Sequence, residues 1–259
     1  MGIVNVTPDS FSDGGRFLEP EAAVTHGLRL AGEGAHILDI GGESTRPGAE
    51  PVPAEEELRR VLPVVAALAD GGHRVSIDTT KVEVAQAALE AGATIVNDIS
   101  AFRFSPELAG LVAHTGAGCC LMHMLGEPRT MQADPRYDDV VSDVRAFLEE
   151  RLAFAVAEGV PEENVWLDPG IGFGKTVEHN LELLRRLDEI AAIGRPVVIG
   201  SSRKSFIGKL TGDRAEHDRL PGTIATSVIA LERGARVFRV HDVGPVADAL
   251  KVAAATVAP

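Results

Sequence analysis

Eight short apolar runs in this chain each break off in a polar side chain. They are Ile3-Val4-Asn5, Ile37-Leu38-Asp39, Val75-Ser76-Ile77-Asp78, Ile95-Val96-Asn97-Asp98, Cys120-Leu121-Met122-His123, Val165-Trp166-Leu167-Asp168, Val197-Val198-Ile199-Gly200-Ser201 and Val237-Phe238-Arg239-Val240-His241. Strands of a parallel sheet are buried on both faces and so read as nearly continuous apolar runs. A polar residue at the same end of every run implies that all the tips converge on one polar site.

The intervening segments carry helical periodicity over residues 20–31, 53–69, 81–91, 105–114, 137–158, 177–190, 221–232 and 245–255. Pro or Ser opens several of them, and Gly follows others, as in Ala91-Gly92, Glu158-Gly159 and Arg233-Gly234. Strands alternating with helices give right-handed βαβ units and a parallel sheet. Eight such units in 259 residues match the usual size of a (β/α)8 barrel, about 250 residues. The expected fold is therefore α/β, a single TIM barrel over residues 1–259 with its active site at the C-terminal rim of the strands.

The 45% hydrophobic content suffices for one large core, and no apolar stretch reaches the ~20 residues that span a bilayer. With no basic, apolar leader at the start, a cytoplasmic setting is expected and no membrane partner. Cys119 and Cys120 are adjacent in an expected strand and should face opposite sides, which suits packing rather than a disulfide or a metal. A net charge of −13 argues against a nucleic-acid partner. Against that acidity, Arg46, Arg203, Lys204 and Arg239 stand out at expected tips and rim loops, with His241 beside them. Taken singly, each would pair with a neighbouring carboxylate; together they make a seat for a small, highly charged anion.

The run Asp168-Pro169-Gly170-Ile171-Gly172-Phe173-Gly174-Lys175-Thr176 ends like a phosphate-binding loop, but Pro169 occupies the position of that motif's first Gly. Nor is it a dinucleotide fingerprint, because Lys175 stands where the third Gly should be. What remains is a loop whose glycines let the backbone approach a flat ligand, with Phe173 offering an edge or a face.

Taken in order, these segments resemble the dihydropteroate synthase family. Asn5-Val6-Thr7-Pro8-Asp9-Ser10-Phe11-Ser12-Asp13-Gly14-Gly15 is similar to its first signature and Ile40-Gly41-Gly42-Glu43-Ser44-Thr45-Arg46-Pro47-Gly48 to its second. Ser76-Ile77-Asp78-Thr79, Val96-Asn97-Asp98-Ile99, Leu121-Met122-His123-Met124, Leu167-Asp168-Pro169-Gly170, Ser202-Arg203-Lys204-Ser205 and Arg239-Val240-His241-Asp242 continue the series across essentially the whole chain. That family joins 6-hydroxymethyl-7,8-dihydropterin diphosphate to p-aminobenzoate, releasing pyrophosphate.

A pterin presents N–H and amino donors beside ring acceptors, so its pocket needs carboxylates, an amide and a cation. By resemblance, Asp168 and Asn97 read the aminopyrimidine edge, Lys204 meets the carbonyl and a ring nitrogen, and Asp78 lies near the other ring. Met122 and Arg239 would pack on the ring faces. Asn5, Arg46, Arg239 and His241 match the family's diphosphate site, where Mg²⁺ is implied with Asn5 as protein ligand and phosphate oxygens and waters as the rest. The implied reaction loses pyrophosphate to give a pterin carbocation, which Asp78 stabilises and the arylamine attacks; Asp78, Lys204 and Arg46 are the catalytic set. Thr45, Pro47, Phe173, Lys204 and Ser205 would hold p-aminobenzoate, with its carboxylate where Ser205 opens a helix.

The two polar rim loops, Thr7 to Gly15 and the one carrying Thr45 and Pro47, are expected to be mobile lids. The resemblance also implies a homodimer and a sulfonamide target. Only four residues precede Asn5, fewer than the family's N-terminal segment, so Met1 is expected to be internal to a longer natural chain. Two other functions share the pterin pocket: a methyltetrahydrofolate domain serving a corrinoid protein, and a catalytically silent paralogue. The anion set and the Ser202-Arg203-Lys204-Ser205 seat argue against the first, the retained motifs against the second.

Overall fold

A computed structural model describes residues 1–7, 19–45 and 48–257. Its eight strands are β1 (Gly2–Asn5), β2 (Leu38–Gly41), β3 (Val75–Asp78), β4 (Ile95–Asp98), β5 (Gly118–Met122), β6 (Val165–Asp168), β7 (Val197–Ile199) and β8 (Ala235–Phe238), lying in chain order in one sheet. Every neighbouring pair is parallel. The sheet is curled, and its first strand touches the segment after β8: Gly2 bridges Val240, Ile3 N–H donates to the Val240 carbonyl at 3.0 Å, and Val240 N–H donates to the Met1 carbonyl at 3.0 Å.

Around the curl run α1 (Glu19–Gly32), α2 (Ala54–Asp70), α3 (Val82–Glu90), α4 (Glu107–Thr115), α5 (Val140–Ala157), α6 (Val177–Arg185), α7 (Leu187–Ala191), α8 (Ser205–Leu210), α9 (Leu220–Glu232) and α10 (Val243–Val257). Among the described residues no helix is long and apolar enough to cross a membrane. Residues 177–190, which read as one helix, form two: at Arg186 the backbone leaves helical geometry (φ −112°, ψ 29°), and its guanidinium grips Glu189 and Asp139. Three strands stop short of their expected tips. β5 ends at Met122, one residue before His123, β7 ends at Ile199 ahead of the turn carrying Arg203, and among the described residues beyond Phe238 Val240 alone forms a further bridge.

Strand residues of the main core are Val4, Leu38, Ile40, Val75, Ile77, Val96, Cys119, Leu121, Val165, Leu167, Val197, Ile199 and Ala235, which recur at every second position and face the helices. The residues between them therefore face the inside of the curl: Asn5, Asp39, Ser76, Asp78, Asn97, Cys120, Met122 and Asp168. This parity separates stability from chemistry. Leu38, Ile40, Ile77, Leu121 and Leu167 are fully buried, and truncating such a residue to Ala costs about 2–5 kcal/mol. Cys119 and Cys120, both free and buried, divide between the two faces as the sequence implies.

Candidate active site

Asn5, Gly41, Asp78 and Asn97 lie in register across the first four strands. Gly41 contributes no side chain, so Asn5 and Asp78 face each other over it: a Cβ there would stand 3.6 Å from Asp78 Cβ and 3.8 Å from Asn5 Oδ1. One layer deeper, Asp39 and Ser76 are register partners. Both are wholly buried, and Asp39 Oδ1 and Ser76 Oγ have no hydrogen-bond partner among the described residues.

Arg239, which follows β8, reaches into this row. Its Nε donates to Asp39 Oδ2 and its Nη2 to Asp78 Oδ2, each at 2.6 Å, while Asn97 Nδ2 donates to the same Asp39 oxygen at 3.1 Å. Burial presses the Asp78 carboxyl upward, Arg239 pulls it back, and Asp39 adds a smaller upward push. The two carboxylates are thus tied by one guanidinium, and the raised Asp78 marks a poised charge. Asp39 is absent from the set expected from sequence. Its strand tip is visible there, but the cation that makes it part of the site lies 200 residues away.

On β5 and β6, Met122 and Asp168 are register partners. Met122 packs with Ile99, Met124 and Met131, with Phe173 against them, an adaptable apolar wall. Asp168 Oδ1 accepts the Gly170 N–H at 2.7 Å. Burial lifts its carboxyl to about 6, against that hydrogen bond and the charges of Lys204, Arg239 and Lys175. Gly170 has φ +68°, and a Cβ there would fall 1.9 Å from the His123 carbonyl oxygen, so only glycine lets the loop fold this tightly.

Lys204 precedes α8 with extended backbone and brings its ammonium to 4.1 Å from the Phe173 ring centroid. Gly172, at φ +82°, makes room: a Cβ would stand 3.0 Å from Lys204 Cδ. Ser205 is exposed at the first position of α8, a helix of six residues. Arg203 turns away at φ +57° and forms a two-pronged ion pair with Asp242, so it leaves the expected anion cluster for the ordinary pairing that a lone rim cation favours. His241 Nδ1 lies 3.0 Å from Ser202 Oγ, which also accepts the His241 N–H at 3.1 Å. Burial, then Arg239 and Arg203, push the imidazole down to about 3, so at neutral pH it is uncharged.

Thr45 and Asp78 line a cavity of about 320 Å³ together with Ile99, Phe104 and Arg129; Lys81 on its wall pairs with Glu43 and Glu57. Arg46, Pro47 and the stretch from Pro8 to Gly15 lie outside the described residues.

A family model described as pterin binding enzyme matches residues 1–241. The dihydropteroate synthase of Synechocystis is 48% identical over 254 residues, 98% of this chain and 88% of that protein. The Escherichia coli enzyme of the same name is 47% identical over 257 residues, 99% of this chain and 90% of that protein. The chain belongs to the dihydropteroate synthase family. Among solved structures, Xanthomonas albilineans dihydropteroate synthase with 4-aminobenzoic acid superposes with a TM-score of 0.94 at 49% identity, covering 100% of this chain and 93% of that one. A complex of the same enzyme with 7,8-dihydropteroate gives 0.90 at 46% identity, covering 100% and 94%. The resemblance read from the ordered motifs thus holds along essentially all of this chain.

Proposed function

We propose that this chain works as a dihydropteroate synthase, condensing 6-hydroxymethyl-7,8-dihydropterin diphosphate with p-aminobenzoate to give 7,8-dihydropteroate and pyrophosphate. The observation that carries this reading is the Asp39–Arg239–Asp78 bridge, with Asn97, Asp168 and Lys204 presented from the same ends of the strands. Asp168 and Asn97 take the aminopyrimidine edge, since a carboxylate accepts two N–H donors side by side. Lys204 serves the ring carbonyl, and Met122 and Arg239 cover the ring faces.

Departure of pyrophosphate leaves positive charge on the exocyclic carbon, and Asp78 is the anion set against it. Asn5, Arg46, Arg239 and His241 receive the diphosphate, His241 as a neutral hydrogen-bonding group. Among the described residues no group of three or more His, Cys, Asp or Glu could hold a metal by protein ligands alone. The single amide oxygen of Asn5 suits a hard cation that takes its other ligands from phosphate oxygens and water, so Mg²⁺ fits here as the substrate's companion. When bound it neutralises charge on the leaving group. Thr45, Pro47, Phe173 and Lys204 make the arylamine slot, with its carboxylate on the hydroxyl and N–H of Ser205.

The Gly2–Val240 bridge supports a fully closed (β/α)8 barrel. Ile229 and Val252, exposed on neighbouring helices α9 and α10, and Leu210 on α8 support a homodimer; the cytoplasm is its expected setting. The deciding experiment mixes purified protein with the pterin diphosphate, labelled p-aminobenzoate and Mg²⁺. Labelled dihydropteroate is expected, and its absence with folded protein would overturn the assignment.

A further inference from the structure

Lys175 closes the glycine-rich run that resembles a phosphate loop without being one. A phosphate-loop lysine reaches out to its ligand; this one is turned inward and is 4% exposed. A buried lysine ordinarily has a carboxylate beside it. Here the ammonium lies 2.9 Å from His123 Nδ1 and donates to the Phe173 carbonyl at 3.0 Å, both neutral acceptors, and among the described residues no carboxylate stands within ion-pair distance. Burial pushes the His123 imidazole far down, with the charges of Lys175 and Arg103 helping, so its Nδ1 is free to accept. The ring is fixed edge-on to Phe147 at 4.8 Å.

Burial also lowers the Lys175 ammonium to about 7, and the charge that holds it up is Asp168. Geometry ties the two residues together, because His123, whose ring holds the ammonium, donates its backbone N–H to the Asp168 carbonyl at 2.9 Å, and Lys175 is one of the cations that draw the Asp168 carboxyl back down. Of those cations, Lys204 and Arg239 belong to the proposed substrate contacts, whereas Lys175 sits under the loop. Two further donors pin that loop, Gln132 Nε2 to the Gly172 carbonyl at 2.6 Å and Tyr137 Oη to the Gly174 carbonyl at 2.7 Å, so the ammonium is fixed in place relative to β6.

We propose that Lys175 is a positioning residue of the pterin pocket: its buried ammonium pins the Phe173 carbonyl and holds Asp168 as the acceptor-only carboxylate that a donor edge requires. This rests on the reading of Asp168 as the pterin contact. The groups facing Asp168 are the Gly170 N–H, Lys204, Arg239, Lys175 and the neutral Cys120 thiol; those facing Lys175 are His123, Tyr137, Asp168 and Lys204.

The test is calorimetric titration of 6-hydroxymethylpterin into the unmodified protein, Lys175→Met and Lys175→Arg across mildly acid to neutral pH. Ionisation of the pterin itself is common to all three and cancels. In the unmodified protein affinity is expected to fall as pH drops through about 6, where Asp168 takes up a proton. In Lys175→Met the fall should begin on the order of one pH unit higher, while Lys175→Arg keeps the original profile. Equal weakening of Lys175→Met at every pH, or the same displacement in both variants, would overturn the proposal while leaving the pterin site standing. Absence of pterin binding by the unmodified protein would instead remove the site and this inference with it. Should Lys175→Met not fold, coupling is read in reverse: in Asp168→Asn the Lys175 Nζ titration, followed by nitrogen NMR, should move below about 7. An unmoved titration would refute the coupling.

Discussion

Arg203 grips Asp242 through two parallel hydrogen bonds, Nε to Oδ2 at 2.9 Å and Nη2 to Oδ1 at 2.6 Å, while its neighbour Lys204 faces the Phe173 ring. Adjacent residues of one rim segment are thus divided between holding the fold and meeting the ligand. Arg203→Ala is expected to lower stability by about 1 kcal/mol and spare most of the turnover. Lys204→Ala should do the opposite, lowering turnover at nearly unchanged stability. Urea unfolding and steady-state rates on the two variants separate these outcomes, and the reverse pattern would exchange their roles.

Asp168→Ala removes the acceptor for a donor edge in a dry pocket, which should weaken pterin binding by ~2–4 kcal/mol while leaving the circular dichroism spectrum unchanged. Calorimetry with the pterin alone measures it. Unchanged affinity would take Asp168 out of the pocket.

Asp78→Asn keeps the shape of the side chain and removes its charge. If Asp78 acts on the carbocation, kcat falls much further than pterin affinity, as for an interaction realised in the transition state. The variant also leaves Arg239 with one anion, Asp39, so pyrophosphate should bind somewhat tighter to the less neutralised guanidinium. Parallel losses in kcat and pterin affinity would contradict the electrostatic role.

His241 stays neutral in the folded state down to about 3, whereas the unfolded side chain protonates near its ordinary 6.5. Between those values the unfolded state binds the extra proton, so this residue's contribution to stability is complete above about 6.5 and is lost as pH falls, with a limiting slope of about 1.4 kcal/mol per pH unit. His241→Asn should flatten that part of the stability curve, measured from denaturant midpoints at neutral and mildly acid pH. An unchanged slope would show that His241 titrates normally in the folded protein.

The strands and most helices were legible because each depends on a short window: a period of two or of 3.6 and a polar stop. The tips at Asp78, Asn97 and Asp168 carried their own signal in the same way. Asp39 ended its run in the same way but drew no role, since a carboxylate there acquires meaning only when Arg239 folds against it, and nothing local to either residue records the encounter. Lys175 drew no role for a related reason: the sequence shows only that it breaks a dinucleotide fingerprint, and its burial is decided by His123 and Tyr137 elsewhere in the chain. The break at Arg186 interrupts an unbroken apolar pattern and is held by ion pairs that periodicity does not register.

The bridge between Gly2 and Val240 brings the first strand against the segment after β8, and Arg239 arrives only after the strands carrying Asp39 and Asp78 have been synthesised. Until then Asp39 and Asp78 face an interior with no guanidinium between them, and packing the strands around two unneutralised carboxylates is unfavourable. An incomplete chain emerging from the ribosome therefore has a reason to stay loose, and a prematurely terminated one should be readily degraded rather than persist as a folded, inactive competitor for pterin.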